Sequence, residues 1–567
     1  MAASQGGPGA PGGAVTARSL HWLLPAASLA VAGGLSLPVL TVAASLLVAA
    51  EGPWVEFVRL VLPRYVVTTV WLVLGVCAGA LVIGVGTAWL VTVCRVPGQR
   101  LWQWALLLPM AVPAYLLAYT YADLLQYAGP VQTTMRAWFG WGRGDYWFPQ
   151  IRSLGGAIVV MTLAFYPYVY MLARAAFLEQ SGAALEASRT LGHSPWSTFW
   201  RVALPLARPG IAAGVALVGM EVLADFGTVK HFELDTFATG IYLTWFTLGS
   251  PVGAARLAAG LMAFVLAVMS LERLSRGSRR FHATGTAPRR PAVFPLRGWR
   301  AAAGVAACVI PPLGGFGLPA AALLVMAATA GDPLFGPTFL RLAANTLLLA
   351  VLAGTLAVAV AALIAYGLRL TPSPAMRVAA RIVGLGYSVP GAVIAVGVMI
   401  PFGYADRLLG AWLHAATGRP PGLVLSGTVF TLVYAYLVRF LAVSLGTVEA
   451  GLGRIRPTMD DAARTLGHGP GSTLLRVHAP LMRGSLLTAA LLVVVDLLKE
   501  LPATLILRPF NFDTLAVRVY QLASDERLAQ ASTAALAIVA VGLLPVLLLD
   551  RTIARARGPR DTPDARP

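Results

Sequence analysis

Four acidic side chains stand inside long apolar runs of this sequence, where charge is costly and so informative. The stretch ALVGMEVLADFGTVKHF carries Glu221 and Asp225 at the spacing of one helical turn, and LLVVVDLLKELPATLIL carries Asp496 and Glu500 at the same spacing. One offset of 275 residues relates both pairs. Each charge held at mid-membrane costs about 2.5 to 3.5 kcal/mol, on the order of 10 kcal/mol for four facing lipid, so they must face an interior or one another. Lys499, three residues after Asp496, can neutralise one acid, whereas Ala224 holds the equivalent place in the first pair. At ~1.5 Å of rise per residue, Glu221 lies roughly 16 Å along a helix from Gly210, near mid-membrane. Carboxylate oxygens are the ligands preferred by small, highly charged cations. Glu221, Asp225, Asp496 and Glu500, with Lys499 beside them, therefore read as a translocation path for a cation, with transient metal contacts and no stable metal centre. The other reading of the same acids is that they cap broken helices or hydrogen-bond between helices. No catalytic residue is assigned.

Such residues need an apolar matrix to hold them. The chain has 567 residues, 57% hydrophobic and 12% charged, with a mean hydropathy of +0.74, which is the composition of an integral membrane protein. A hydrocarbon core of ~30 Å needs about 20 residues per helix, and twelve runs meet that length: 22–50, 66–94, 101–124, 154–178, 209–228, 252–272, 302–329, 343–369, 377–402, 423–447, 485–507 and 530–550. The first is too long for a signal-peptide core of about 7 to 15 residues, so it is expected to stay as a helix. Cys77, Cys94 and Cys308 fall in these runs with neither metal-ligand spacing nor a disulfide framework, as small core residues would. The formal charge of +19 follows membrane topology. Arg273, Arg276, Arg279, Arg280, Arg289, Arg290, Arg297 and Arg300 lie between the sixth and seventh runs, and Arg551, Arg555, Arg557 and Arg560 follow the last. The positive-inside rule places them on the cytoplasmic face and, with twelve crossings, both termini as well. Anionic lipid headgroups and an acidic partner surface are the expected targets of this charge, not nucleic acid.

The 275-residue offset reaches well beyond the acids. EASRTLGHSPWSTFWRVALP (186–205) matches DAARTLGHGPGSTLLRVHAP (461–480) at 12 of 20 positions. The run from Arg64 superposes on the run from Phe339, and with a slip of two residues Val112-Pro113-Ala114 meets Val389-Pro390-Gly391. Two tandem six-span halves follow. Residues 1–63 form a cytoplasmic N-terminus and first helix, 64–272 the first repeat, 273–301 a basic cytoplasmic linker, 302–338 the helix preceding the second repeat, 339–550 that repeat, and 551–567 a basic cytoplasmic tail. Six crossings per half give both halves one orientation, a parallel repeat about an axis along the membrane normal, with a pathway expected at their interface.

The repeated loops, 184–208 and 459–483, are too polar for lipid. From Ala183 to Trp200 the sequence reads as two short helices, with Gly192 as a left-handed C-terminal cap, Ser194 as N-cap and Pro195 at the first helical position. Gly467 and Pro470 keep that pattern, and Pro205 and Pro480 are expected to end the second helix. Leu185, Ser188 and Leu191, like Asp460, Ala463 and Leu466, fall on one face at i, i+3 spacing. A small helix of this kind on a cytoplasmic loop suits a groove of a partner protein. A helix lying on lipid explains the apolar face but not the retention of Arg-Thr-Leu-Gly-His in both copies.

Glu186-Ala187-Ser188, Gly192 and Val202 to Pro205, with Asp461-Ala462-Ala463, Gly467 and Val477 to Pro480, resemble the EAA loop of binding-protein-dependent ABC importer permeases. That pattern is E-A-A, three residues, G, nine residues, then I-x-L-P; Ser188, Asp461 and Ala479 depart from it. The resemblance implies an all-α integral membrane fold of about 12 transmembrane helices in two tandem six-helix repeats, the MetI-like fold of type I importers. It also implies that Glu186, Ala187, Arg189, Gly192 and Pro205, and Asp461, Ala462, Arg464, Gly467 and Pro480, couple to two copies of a cytoplasmic ATPase, one per half. The chain itself is not the motor: a Walker A loop needs G-x-x-x-x-G-K-[ST], and the two lysines here are Lys230, followed by His231, and Lys499, followed by Glu500. ATP and Mg2+ belong to the partner, and no cofactor is expected in this chain.

The stretches GMEVLADFGTV from Gly219, DTFATGIYLTWF from Asp235, RAAFLEQSGAALEASRTLG from Arg174 and VVDLLKELPATLILRPFNFDTLAVRVYQLASDERL from Val494 are similar to the ferric-iron permeases of this class, over nearly the whole chain. That resemblance implies a transport subunit of the bacterial inner membrane that takes Fe(III) from a periplasmic or lipid-anchored binding protein. Thiamine and 2-aminoethylphosphonate permeases share the fused layout and stay as alternatives. A gradient-driven secondary transporter, which needs no soluble partner, is the alternative from another class. Asp235-Thr236 and Asp513-Thr514, expected outside the membrane, read either as a rim for the binding protein or as ordinary loop packing.

Overall fold

The computed structural model describes residues 12–49, 52–179, 188, 190–276, 294–330, 336–419 and 422–556. Within a bilayer every backbone N–H and C=O needs a partner in the chain, and helices of apolar residues supply it locally. The first half contains α1 (Gly12–Ala44), α2 (Leu62–Thr92), α3 (Gln99–Ala105), α4 (Ala114–Leu125), α5 (Pro130–Phe139), α6 (Leu154–Glu179), α7 (Leu204–Ala224), α8 (Gly227–His231), α9 (Phe237–Tyr242) and α10 (Pro251–Arg276). The second contains α11 (Trp299–Ala330), α12 (Pro337–Leu370), α13 (Pro374–Leu385), α14 (Gly391–Thr417), α15 (Val429–Gly453), α16 (Thr458–Thr465), α17 (Arg483–Lys499), α18 (Pro502–Leu507), α19 (Leu515–Ser524) and α20 (Leu528–Ala556). Among the described residues ten helices are long and apolar enough to cross a membrane, and up to 12 if each of two bent pairs is one span. The duplication is kept element by element: α2 and α12, α3 and α13, α6 and α15, and α8 and α18 each begin 275 residues apart.

Four of the expected spans are broken, at equivalent places. The runs 101–124 and 377–402 stop being α-helical before Pro113 and Pro390, where Val112 (ψ 119°) and Val389 (ψ 121°) are extended, the conformation that a proline ring favours in its predecessor. The runs 209–228 and 485–507 end at Ala224 and Lys499. Asp225 (ψ 134°) and Glu500 (ψ 112°) have left the helix, so neither lies a turn further along it from Glu221 or Asp496.

The expected role of Pro205 is also corrected. A single span runs from Trp196 to Ala224; a π turn at Phe199–Ala203, with Leu204 N bonded to the Phe199 carbonyl, leads without interruption into α7, so Pro205 lies inside a continuous helix at the point where the hydrogen-bond ladder shifts by one residue. In the second half the chain does turn just after Pro480, where Pro470–Leu481 and α17 meet at 80°.

The packing mixes the two halves. One buried core joins α2, α4 and α6 of the first half to residues of α11, α19 and α20, such as Cys308, Val517 and Ile538. The other joins α12, α14 and α15 to Ala32 and Val42 of α1, Ile241 of α9 and Leu261 of α10. The Tyr434 hydroxyl of α15 donates to the Gly34 carbonyl of α1, and Tyr121 of α4 donates to the Gly314 carbonyl of α11 at 2.6 Å. A two-residue parallel pairing of β1 (Cys94–Arg95) with β2 (Phe294–Pro295) ties the end of α2 to the segment before α11.

Candidate functional site

The four broken spans converge on a cavity of about 120 Å3 between the halves. Its lining is pseudo-symmetric: Glu221 and Asp496, Asp225 and Glu500, Phe165 and Phe440, and Val112 and Tyr387 come from matching elements. All five residues expected on the path, Glu221, Asp225, Asp496, Lys499 and Glu500, line it.

Three of the four acids, Asp225, Glu500 and Glu221, have a structural partner as well. Asp225 accepts hydrogen bonds from Thr228 N (2.9 Å), Thr228 Oγ1 (3.0 Å) and Val229 N (3.3 Å), the open donors at the start of α8. Glu500 accepts from Ala503 N (3.1 Å) at the start of α18. A carboxylate there satisfies orphan N–H groups and suits the positive end of the helix dipole, which is why the chain can break in apolar surroundings. Glu221 accepts from the Tyr387 hydroxyl at 3.0 Å, across the interface between halves. Lys499 donates to the Met110 carbonyl at 2.7 Å, also across it, and the Tyr242 hydroxyl donates to the Pro502 carbonyl. Among the described residues no three His, Cys, Asp or Glu side chains converge as a metal-holding group.

Two cavity residues escape the reading of the sequence. Arg439 of α15 is 2.9 Å from Glu500 through Nη1, with side-chain exposures of 10% and 5%, and Tyr387 reaches Glu221. A lone arginine within YAYLVRFLAV carries the same signal as the intramembrane acids, so Arg439 was findable; Tyr387 has no such mark. The counterparts of Arg439 and Lys499 in the first half are Ala164 and Ala224, both on the cavity wall. The acids are thus duplicated, while both cations belong to one half.

At the repeated loops, Gly192 and Gly467 both have φ +80°, the left-handed conformation in which a Cβ is strained. Just before them Leu191 and Leu466 are each 77% exposed. The repeated histidine braces the turn in both copies: His193 Nδ1 is 3.1 Å from Ser197 Oγ, and His468 Nδ1 is 3.0 Å from Ser472 Oγ. Ser194 caps the following helix, accepting from Ser197 N at 3.2 Å. Glu186, Ala187 and Arg189 lie outside the described residues. In the second copy Asp461, Ala462 and Arg464 are exposed on α16 while Ala463 is buried beneath them.

At the opposite set of turns, Thr236 accepts from Thr239 N and Thr514 from Val517 N, each at 3.4 Å, as N-caps of α9 and α19. Asp235 pairs with Arg64 at 2.7 Å and Asp513 with Arg508. Capping accounts for the repeated Asp-Thr pair locally.

A duplicated helical membrane protein with paired coupling-type loops and a charged cavity at its pseudo-axis is a solute permease in architecture. The family model described as "Binding-protein-dependent transport system inner membrane component" matches residues 80–274, and the chain belongs to that family, as a multi-pass inner-membrane protein. It is 26% identical over 493 residues to the Fe(3+)-transport system permease protein FbpB 2 of Haemophilus influenzae, covering 85% of this chain and 88% of that one. It is 32% identical over 206 residues to the molybdenum transport system permease protein ModB of Escherichia coli, covering 35% of this chain and 86% of that one. With the putative 2-aminoethylphosphonate transport system permease protein PhnV of Salmonella typhimurium it shares 29% identity over 133 residues, 24% of this chain and 50% of that one.

Proposed function

We propose that this chain is the two-half permease of an importer that moves ferric iron inward, driven by ATP hydrolysis on a separate subunit. The observation that carries this reading is the duplicated carboxylate set at a cavity shared by both halves, in a chain similar along 85% of its length to a ferric permease. Two copies of a cytoplasmic ATPase sit on the 184–208 and 459–483 loops, both termini are cytoplasmic, and a periplasmic or lipid-anchored iron-binding protein docks on the opposite face near Asp235-Thr236 and Asp513-Thr514. Fe(III) is cargo here: Glu221, Asp225, Asp496 and Glu500 offer it transient oxygen contacts, and ATP and Mg2+ stay with the partner.

The test is uptake of radioactive iron by the reconstituted complex. Glu221→Gln with Asp496→Asn keeps the size of both side chains and removes two negative charges from the cavity. Uptake is expected to fall at least about tenfold, the equivalent of ~1.4 kcal/mol, with protein level nearly unchanged; a matched fall in level and uptake counts against a path role. A second reading is favoured by Arg439 and Lys499 on the cavity wall and by the similarity to ModB: the cargo is an oxyanion. Uptake of labelled molybdate but not iron by the same vesicles would select it. Uptake that persists without ATP but collapses with an uncoupler would instead select a gradient-driven carrier.

A further inference from the structure

The second coupling loop is tied down by an ionic cluster that lies away from the cavity. Arg369 ends α12, and its Nε and Nη2 each lie 2.8 Å from Asp460 Oδ2 on α16. The same guanidinium donates from Nη1 to the Leu452 carbonyl (2.7 Å) and from Nη2 to the Ile455 carbonyl (3.0 Å), at the end of α15. His478, fully buried in the turn leading toward α17, brings Nε2 within 2.6 Å of Asp460 Oδ1. Its ring stands edge-on to Tyr366, whose hydroxyl donates to the Pro470 carbonyl at 2.8 Å. Arg369 and Asp460 keep only 17% and 14% of their side-chain surface exposed. One largely buried carboxylate therefore joins α12, α15, α16 and the turn before α17.

Among the described residues nothing in the first half repeats this. The residues 275 positions earlier are Cys94 for Arg369, Leu185 for Asp460, Ala203 for His478 and Val91 for Tyr366, none able to form an ion pair. There the end of α2 packs through rings, Trp89 lying 5.6 Å from Phe177 and 5.1 Å from Phe199. The difference has a mechanical consequence, because α15 carries Leu452 at the cluster and, roughly 20 Å along the same helix, Arg439 in its pair with Glu500 at the cavity. A charge-assisted hydrogen bond fixes distance and orientation more tightly than ring packing does.

We propose that Arg369, Asp460 and His478 are positioning residues that make the second coupling helix one rigid unit with α12 and α15. The ATPase on that loop thereby acts on the Arg439–Glu500 pair directly, and the two ATPase copies act unequally on one cavity. This rests on the importer reading above; wild-type chain that purifies with no ATPase overturns both.

The experiment compares the full reconstituted complex carrying Asp460→Asn with one carrying Arg369→Met and Asp460→Asn together. In the single variant Arg369 keeps its two carbonyl acceptors, and the double variant leaves no buried unpaired charge, so both are expected to insert and to hold ATPase. Cargo moved per ATP hydrolysed is expected to fall at least about fivefold in both, with both ATPase copies still co-purifying, and Asp460→Glu is expected to recover part of the loss. A merely structural cluster would lower protein level and ATPase binding together and leave the ratio alone. Transport per ATP within about twofold of wild type, or loss of both variants from the membrane, overturns the proposal.

Discussion

Arg439 and Glu500 are the residues on which the cavity's stability turns. Their contact is almost sealed from solvent, and removing one partner of such a pair strands the other charge in low dielectric, at a cost of about 3 to 5 kcal/mol. Arg439→Met is expected to lower the thermal midpoint of the detergent-solubilised protein sharply. Arg439→Met with Glu500→Gln should recover most of it, since Gln still accepts from Ala503 N; a thermal-shift double-mutant cycle reads the difference. Among the described residues Asp225 has no arginine partner and relies on three donors of α8. The acids announced themselves in the sequence because charge in an apolar run demands a reason, but which one capped a helix and which one faced a tyrosine depended on where the helix stopped.

Two turns depend on a left-handed backbone. Gly192 and Gly467 hold φ +80° with open space around them, so a bulky side chain meets no wall but strains the turn that presents Leu191 and Leu466. Gly192→Leu with Gly467→Leu is expected to abolish co-purification of the ATPase while the chain still inserts, and retained complex would refute that role for the turns. The helix pattern Gly, Ser/Gly, Pro was enough to place both turns in advance. Near α8, beyond the spanning helix α7, burial lowers the His231 imidazole to about 4, with Arg152 acting in the same direction. Its ring stands edge-on to Tyr119 at 4.6 Å. A histidine whose folded value lies below its unfolded value of about 6.5 binds fewer protons when folded, so its contribution is complete above pH 6.5 and is lost as pH falls toward 4. Stability measured between pH 6.5 and 4 should decline less in His231→Phe than in wild type; equal slopes would show that another group sets the acid limb.

At the scale of the molecule, each core is assembled from inner helices of one half and outer helices of the other. Either half alone therefore leaves much of its apolar face unmatched. Residues 1–276 and 294–567, produced as separate chains in one cell, are expected to co-purify as a transport-competent pair, whereas each produced singly should be degraded. Accumulation of one stable, monodisperse half would contradict the interleaved packing. The same interleaving brings Lys499 to Met110 and Tyr387 to Glu221, so the cavity exists only when the halves meet.

The sequence by itself determined the membrane class, the duplication, the paired turns and the presence of buried acids, because hydropathy, offset identity and glycine or proline chemistry are local properties of the chain. Tertiary structure alone decided that the fifth spans stop at Asp225 and Glu500, that Pro205 sits inside a continuous helix, and that Arg369 meets Asp460 and His478. Those outcomes depend on partners as distant in the chain as Tyr387 from Glu221, and on whether a neighbouring helix can satisfy the donors that a break exposes, which no single segment specifies.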